Sequence, residues 1–211
     1  MKTVGVIGGM GPLATVDFFA RLTAATPAKR DQDHLHVIVN SDPRAPDRNE
    51  AIAGKGPSPG PVMAAMARAL ENAGADFLVI ACNTAHAYLA DVRTATSLPV
   101  LDMVTATVAA VKARHPACEA VGLLAVDGCL GANLYQQALI DAGLRHIVLD
   151  ADRQATFMSL IYGVKSGTDL SEAGDALLEL IDYLGKSGAD VIVAACTEIP
   201  IILSEVNRPN I

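Results

Sequence analysis

The fold of this chain is decided by residues 74–86, GADFLVIACNTAH, and by their echo at residues 188–200, GADVIVAACTEIP. In both stretches Gly-Ala-Asp precedes an apolar run, and a cysteine follows at the same position, Cys82 in one and Cys196 in the other. An apolar run of this length between turn signals is typical of a buried parallel strand. The sequence therefore predicts that each cysteine lies at the carboxyl end of a strand, where open α/β sheets bind ligands.

The surrounding sequence repeats as well. Residues 4–11, VGVIGGMG, are matched by residues 121–128, VGLLAVDG. Such self-similarity indicates a duplicated structural unit. We therefore expect two similar α/β domains, 1–100 with Cys82 and 101–211 with Cys196. Each should be a mainly parallel four-stranded sheet flanked by helices, and a pseudo-twofold axis should place the active site between the domains.

The remaining apolar patterns predict the other elements. In the first half we expect strands at residues 2–7, 36–40 and 98–102 and helices at residues 13–25, 62–73 and 85–95. In the second half we expect a strand at residues 146–149 and helices at residues 105–114, 133–142, 152–165 and 170–187. Residues 41–61 hold five prolines and three glycines, and we expect this long loop, with a helical turn at residues 47–53, to move as a lid. Arg208-Pro209 repeats Leu98-Pro99, so we expect the second copy to lack its last strand and helix.

Composition excludes several classes of function. The 211 residues are 51% hydrophobic and 4% aromatic, with no tryptophan and a net charge of −7. No basic block is present, so we expect no nucleic-acid partner and no membrane partner. No apolar run reaches the ~18 residues of a membrane span, and the amino terminus lacks the apolar core of a signal peptide. We therefore expect a cytoplasmic protein whose four cysteines are reduced thiols.

Two thiols on opposite faces of one carbon can invert a stereocentre. One thiolate removes a proton from carbon, and the other thiol returns a proton from the opposite side. Cysteine titrates near pKa ~8.5, so a modest decrease provides thiolate at neutral pH. Because both cysteines precede expected helix starts, we expect backbone N–H groups and the helix dipole to favour that decrease. The sulfur atoms should lie roughly 7–8 Å apart across one small cavity.

Polar residues near the cysteines could hold a substrate that carries carboxylates. Asn83, Thr84 and Thr197 directly follow the cysteines, where backbone N–H groups also bind anions. The basic candidates for a second carboxylate are Arg44, Arg48, Lys55 and Lys165. Cys82 and His86 have a metal-ligand spacing, but no third and fourth ligand accompany them, so no metal is expected.

Five segments, taken in order, resemble the aspartate racemase branch of the aspartate/glutamate racemase superfamily. They are residues 8–15 (GGMGPLAT), 46–48 (PDR), 82–86 (CNTAH), 161–167 (IYGVKSG) and 196–198 (CTE). The resemblance covers the whole chain, and the paired cysteine motifs are specific to the superfamily. It implies an amino-acid racemase that needs no cofactor, built from two flavodoxin-like domains and usually a homodimer.

The resemblance also implies roles for individual residues. Cys82 and Cys196 would be the two acid/base groups, and Arg48 and Lys165 would bind the side-chain carboxylate of an acidic amino acid. Asn83, Thr84 and Thr197 would lie at its α-carboxylate and amino end. The remaining expected substrate-binding residues are Met10 and Glu198. Met10 lies in the glycine turn, residues 8–12 (GGMGP), and Glu198 could tune or orient the second thiol.

Departures from the family pattern leave the substrate open. Where we expect hydroxyl residues, the chain has Val126, Asp127 and Cys129, and Asp127 adds a negative charge that weakens the case for aspartate. A thiol-dependent decarboxylase or a cis–trans isomerase of a dicarboxylate, both from the same superfamily, stays an alternative. A non-catalytic protein that binds an acidic ligand is another.

A nicotinamide enzyme is a weaker alternative. Residues 9–14, GMGPLA, match the G-x-G-x-x-A pattern after a strand. That pattern requires an acidic residue about 20 residues further on, but Asp42 lies beyond that distance. Pro12 also removes a backbone N–H that a pyrophosphate would use.

Overall fold

The computed structural model describes residues 2–167 and 170–204, and the chain divides into two compact units, Met1–Met103 and Val104–Ile211. The first unit contains β1 (Val4–Gly8), α1 (Pro12–Ala25), β2 (Val37–Ser41), α2 (Arg48–Ile52), α3 (Gly60–Asn72), β3 (Phe77–Ile80) and α4 (Leu89–Ala95). From the boundary onward follow α5 (Met103–Arg114), β4 (Ala120–Leu124), α6 (Asp127–Gly131), α7 (Leu134–Asp141), β5 (Arg145–Ile147), α8 (Ala151–Ser166), α9 (Leu170–Lys186), β6 (Val191–Ala194) and α10 (Ile199–Ser204).

Each unit is built on a parallel sheet with the same strand order. The order is β2-β1-β3 in the first unit and β5-β4-β6 in the second, and every pair of neighbouring strands runs parallel. The first strand of each unit is therefore central, which is why β1 and β4 are buried over their whole lengths. This order is the start of a flavodoxin-like sheet, so the predicted α/β fold with parallel sheets is confirmed.

Helices cover both faces of the first sheet. Val4 and Val6 of β1 contribute to an apolar cluster against which Phe18 of α1 packs. The alternate position Ile7 belongs to a second cluster, which also contains Met66 and Leu70 of α3. Alternation along one strand thus supplies both layers, because successive side chains point to opposite faces of a sheet.

The sequence repeat extends to the packing of the central strands. A Cβ built on Gly5 would lie 2.6 Å from Leu78 Cδ2, and one built on Gly122 would lie 3.2 Å from Ile192 Cγ1. Glycine therefore lets the neighbouring strand, and the helix that precedes that strand, approach the central strand closely. The neighbours are equivalent in the two copies: Leu70, Ala75 and Leu78 around Gly5, and Leu184, Ala189 and Ile192 around Gly122.

The Gly-Ala-Asp motif joins each cysteine strand to the start of the central strand. Gly74 and Gly188 have positive φ angles of 92° and 94°, which end the preceding helix at little steric cost. The carboxylate of Asp76 accepts from Thr3 N–H at 2.6 Å, and that of Asp190 accepts from Ala120 N–H at 3.0 Å. The motif is therefore a structural device that sets the strand register.

The fourth strand expected at residues 98–102 is reduced to one parallel bridge between Leu78 and Val100. Leu78 N–H donates to Pro99 O at 2.8 Å, and Leu101 N–H donates to Leu78 O at 2.9 Å. Pro99 has no N–H with which to extend the ladder. The equivalent strand of the second unit, and the predicted lack of a last strand and helix, both concern residues 205–211. Those residues lie outside the described part of the chain.

One helix differs from the sequence-based expectation, and the helical turn expected at residues 47–53 is confirmed. The single helix expected at residues 85–95 is divided into a 3₁₀ turn, Thr84–Tyr88, and α4. The loop at residues 41–61 contains α2, whose N-terminus is capped by the Asp47 carboxylate accepting from Glu50 N–H at 2.9 Å. Among the helices that the structure describes, none is both long and apolar enough to cross a membrane.

Candidate functional site

Cys82 lies two residues beyond the end of β3, as the sequence predicts. Its side chain is buried, and it belongs to the same apolar cluster as Met10. The following Asn83 and Thr84 are buried as well. The carbonyl group of Cys82 accepts a hydrogen bond from His86 Nδ1 at 2.9 Å, which holds the cysteine turn in a fixed conformation.

His86 is a structural residue of this turn. Its Nδ1 faces two carbonyl oxygens, those of Cys82 and Asn83, so Nδ1 carries the proton. Its Nε2 accepts from Met103 N–H at 3.1 Å. Burial lowers the pKa of His86, which keeps the ring neutral. Both ring nitrogens are occupied by backbone groups, and no cluster of three or more metal-ligating side chains occurs in the described residues.

Arg48 is a buried cation at the start of α2, with 9% of its surface exposed. Its guanidinium donates to the carbonyl oxygens of Pro46 at 3.0 Å and Met10 at 3.3 Å. No carboxylate forms an ion pair with Arg48 in residues 2–167 and 170–204. Carbonyl groups orient this guanidinium but leave its charge uncompensated, which favours the binding of an anion.

The glycine turn serves Arg48 rather than a dinucleotide. The N–H of Gly9 donates to Thr15 Oγ1 at 2.8 Å, so it is occupied within the turn. A Cβ on Gly9 would lie 2.4 Å from the backbone nitrogen of Asp42, which explains the glycine by close packing. Asp42 itself pairs with Arg44 at 2.8 Å. These contacts occupy the groups that a nicotinamide cofactor would need.

Cys196 lies two residues beyond β6, in the position equivalent to Cys82. Its thiol donates to Glu198 Oε2 at 3.0 Å, and Thr197 Oγ1 donates to the same oxygen at 3.4 Å. Burial, and then the charge of Glu198, raise the pKa of Cys196 well above its usual value. The expected decrease is therefore wrong for this thiol, because a neighbouring carboxylate and the loss of water outweigh the backbone groups.

Lys165 supplies the positive charge of this group. It lies in the last turn of α8, which is capped by Gly167 in a left-handed conformation. Its Nζ is 3.5 Å from Glu198 Oε1. That separation makes an ion pair without hydrogen-bonding geometry, and Glu198 Oε1 accepts no hydrogen bond from the described residues.

Asp127 lies beyond the carboxyl end of β4, and the sequence did not predict its partner. Gln154 Nε2 donates to Asp127 Oδ1 at 2.8 Å and to the carbonyl oxygen of Ala125 at 3.0 Å. Val126 and Cys129 are buried in the core of the second unit. Gln154 carries no motif that could have indicated this contact, because only the packing of α8 beside β4 brings it there.

Cys118, Arg44 and Lys55 have other surroundings. None of the four cysteines forms a disulfide, and the thiol of Cys118 faces the carbonyl oxygen of Ala120 at 3.6 Å. Arg44 is held by Asp42 at the surface, and Lys55 is exposed. The first unit thus joins a buried thiol to a buried arginine through the glycine turn, and the second joins a buried thiol to a carboxylate and a lysine.

Comparisons with known proteins found similar sequences and structures over nearly the whole chain. The chain is 29% identical over 216 residues to the broad-specificity amino-acid racemase RacX of Bacillus subtilis (strain 168), covering 96% of this chain and 88% of that protein. It resembles the solved structure of Picrophilus torridus aspartate racemase with a TM-score of 0.87 and 33% identity, covering 97% of this chain and 85% of the other.

A second solved structure has the same fold at lower identity. It is an aspartate racemase homologue from Pyrococcus horikoshii OT3, with a TM-score of 0.74 and 22% identity, covering 97% of this chain and 89% of the other. The sequence model that describes Asp/Glu/Hydantoin racemases matches residues 7–210. Because this match spans both repeated units, the chain belongs to the Asp/Glu/hydantoin racemase family.

Proposed function

We propose that this protein is an amino-acid racemase that interconverts L- and D-aspartate, or a closely related acidic amino acid, without a cofactor. The observation that carries the proposal is the equivalent placement of Cys82 and Cys196, each two residues beyond the third strand of a repeated unit. Membership of a racemase family supports the reaction class. The duplication thus places one cysteine at the equivalent position of each unit, and these two thiols are the candidate groups for acid/base catalysis.

The proposed reaction moves one proton off the α-carbon and another onto it. The thiolate of one cysteine removes the α-proton, and the negative charge spreads into the adjacent carboxylate. The thiol of the other cysteine then donates its proton to the opposite face, so that the product has the inverted configuration. The mechanism requires both sulfurs to reach one α-carbon from opposite sides. Microscopic reversibility exchanges the two roles for the other enantiomer.

The cations support an acidic substrate. Arg48 is buried and bound only to carbonyl oxygens among the described residues, so a carboxylate would compensate its charge. Lys165, which is 26% exposed in its side chain, could bind the same carboxylate. Asn83, Thr84 and Thr197 would then hold the α-carboxylate and the amino group.

Hydrogen exchange tests this proposal directly. L-Aspartate incubated with the protein in heavy water should gain deuterium at the α-carbon while D-aspartate forms at the same time. The same measurement is repeated with glutamate and with neutral and basic amino acids. If no amino acid exchanges its α-proton, the protein is not a racemase.

Broad specificity is a second candidate, and Asp127 favours it. Its exposed carboxylate follows β4, at the sheet edge that also carries Cys196, and Gln154 fixes its position. A carboxylate at this edge would attract the cationic groups of a substrate and weaken the selection of acidic ones. Comparable exchange rates for lysine and aspartate would favour this candidate, and an Asp127→Thr variant should then gain preference for aspartate.

Three other activities are distinguished by separate measurements. Release of carbon dioxide would indicate a thiol-dependent decarboxylase, and formation of fumarate from maleate would indicate a cis–trans isomerase. Tight binding of aspartate in calorimetry without any α-proton exchange would indicate a binding protein that has lost turnover.

A further inference from the structure

Lys165, Glu198 and Cys196 form one connected group within the second unit. The thiol is bound to one oxygen of Glu198, with Sγ 3.0 Å from Oε2. The other oxygen faces Lys165 Nζ at 3.5 Å. Thr197 Oγ1 also donates weakly to Oε2, at 3.4 Å. The Glu198 side chain is only 5% exposed, so these protein groups, rather than water, decide how stable its charge is.

Lys165 acts on Glu198 more strongly than on Cys196. Its ammonium group is in ion-pair contact with the carboxylate, whereas it is the weakest of the influences on the pKa of the Cys196 thiol. Glu198 and Lys165 are also the charged side chains that act on this thiol among the described residues. While the ion pair holds, negative charge is therefore more stable on Glu198, and the proton stays on sulfur.

We propose that an acidic substrate activates Cys196 by drawing Lys165 away from Glu198. The inference rests on the proposed function, because it takes Lys165 as a ligand of the substrate's side-chain carboxylate. Once Lys165 pairs with the substrate, Glu198 loses its cation and becomes a stronger base. The proton moves from Cys196 Sγ to Glu198 Oε2, and a thiolate and a neutral carboxylic acid form with no change in total charge.

The geometry allows Lys165 to change partners at small cost. Its ammonium group makes no hydrogen bond with Glu198 Oε1 in the described structure, and its flexible side chain begins in the last turn of α8. An amino acid without a side-chain carboxylate would leave Lys165 on Glu198 and the thiol protonated. Selection for acidic substrates then operates through activation of the thiol as well as through binding. Glu198 acts through Cys196 and not on the substrate, so it is a positioning residue.

Succinate is a suitable probe, because it has two carboxylates and no α-amino group. In a Cys82→Ser variant, the ultraviolet absorbance of thiolate is measured at pH 7 with and without succinate. A Cys82→Ser, Cys196→Ser variant provides the reference that isolates the Cys196 signal. We expect succinate to raise the thiolate fraction at least about tenfold, which corresponds to about 1.4 kcal/mol, and an infrared band of a protonated carboxyl group to appear. A dianion acting by charge alone would lower that fraction.

Three further variants, made in the Cys82→Ser background, test which residues produce the thiolate response to succinate. Glu198→Gln should abolish both the thiolate increase and the carboxyl band, whereas Glu179→Gln, which removes an exposed carboxylate of α9, should keep both. Lys165→Met should abolish the response because no cation is then exchanged. An increase that survives in Glu198→Gln would overturn the proposal.

Two further outcomes also overturn it. One is succinate that binds without raising the thiolate signal, and the other is the absence of succinate binding, because Lys165 then receives no carboxylate. Exchange of deuterium into aspartate is measured in parallel with the unsubstituted protein. Exchange without a thiolate response would leave the proposed function intact and remove only activation by the substrate.

Discussion

Cys82 and Cys196 are equivalent in sequence but have different neighbours. The imidazole of His86 donates to the Cys82 carbonyl group and fixes the turn that carries Cys82, whereas a carboxylate accepts a hydrogen bond directly from the thiol of Cys196. The raised pKa of Cys196, caused by burial and Glu198, favours a protonated thiol at rest. We therefore expect Cys196 to be a thiol in the absence of substrate, and to act as a base only after Lys165 has left the Glu198 carboxylate.

Replacing either cysteine by serine should remove racemisation. A serine hydroxyl is a far weaker acid than a thiol, so each variant loses acid/base catalysis on one face, roughly a 10²–10⁴-fold effect. The rates are measured by polarimetry with both enantiomers. Cys118→Ser, which changes a half-buried thiol outside these groups, should retain activity. Equal activity in Cys82→Ser and the unsubstituted protein would contradict two-base catalysis.

Replacing Arg48 should weaken substrate binding more than it slows the chemical step. Arg48→Met removes a buried cation, so KM for aspartate should rise by the equivalent of about 2–5 kcal/mol. Steady-state kinetics separate this effect from a change in kcat. Arg44→Met removes an exposed cation that Asp42 already compensates, and it should leave KM within about twofold, since surface ion pairs contribute about 0–1 kcal/mol. A KM unchanged in Arg48→Met would exclude Arg48 from the site.

At the scale of elements, the turn that follows each cysteine strand contacts residues from other parts of the chain. In the first unit His86 joins the turn to Met103 at the start of α5, and α2 packs against the 3₁₀ turn that follows Cys82. In the second unit α8 brings both Lys165 and Gln154 to the carboxyl edge of the sheet. Strand ends position the thiols, and in the second unit a helix from elsewhere in the chain adds Lys165 beside the Glu198 carboxylate.

The buried His86 should make stability depend on pH. Burial lowers its pKa in the folded chain, so below ~6.5 the unfolded chain binds the proton more readily. The free energy of unfolding should decrease as pH falls from ~6.5 towards the lower folded pKa, and this contribution should be flat above ~6.5. Urea titrations across this range measure the effect. His86→Gln should lose it and should be less stable at pH 7.5 by about 1–3 kcal/mol, whereas a variant of the exposed His115 should behave like the unsubstituted protein.

Glycine at the centre of each sheet should be required for packing. Gly122→Ala places a Cβ 3.1 Å from both Leu184 Cβ and Ala189 Cβ, so we expect a loss of about 1–3 kcal/mol in the free energy of unfolding. Gly185 lies within α9, and a Cβ built there would meet no neighbouring heavy atom within 4 Å. Gly185→Ala should therefore increase stability by about 0.5–1 kcal/mol. The denaturation midpoints of the two variants are compared with that of the unsubstituted protein. An unchanged midpoint in Gly122→Ala would mean that α9 can move away from β4.

At the scale of the whole molecule, each of the two repeated units carries one cysteine just beyond its third strand. The family resemblance predicts a homodimer, and sedimentation equilibrium at micromolar protein concentration should give twice the chain mass of 21.9 kDa. Homodimers are the commonest symmetric oligomers. A mass that stays at one chain across the concentration range would make the monomer the active species.

The sequence alone determined the strands, the repeat and the positions of both cysteines, because buried parallel strands leave continuous apolar runs between turn signals. It also indicated the family and the cations at residues 48 and 165. Only the tertiary structure decided what surrounds those groups: the Met10 carbonyl oxygen beside Arg48, the ion pair between Lys165 and Glu198, the burial that raises the pKa of Cys196, and the reduction of the fourth strand to one bridge. Burial and charge act through space, between residues that are distant along the chain, and periodicity does not record which of them meet.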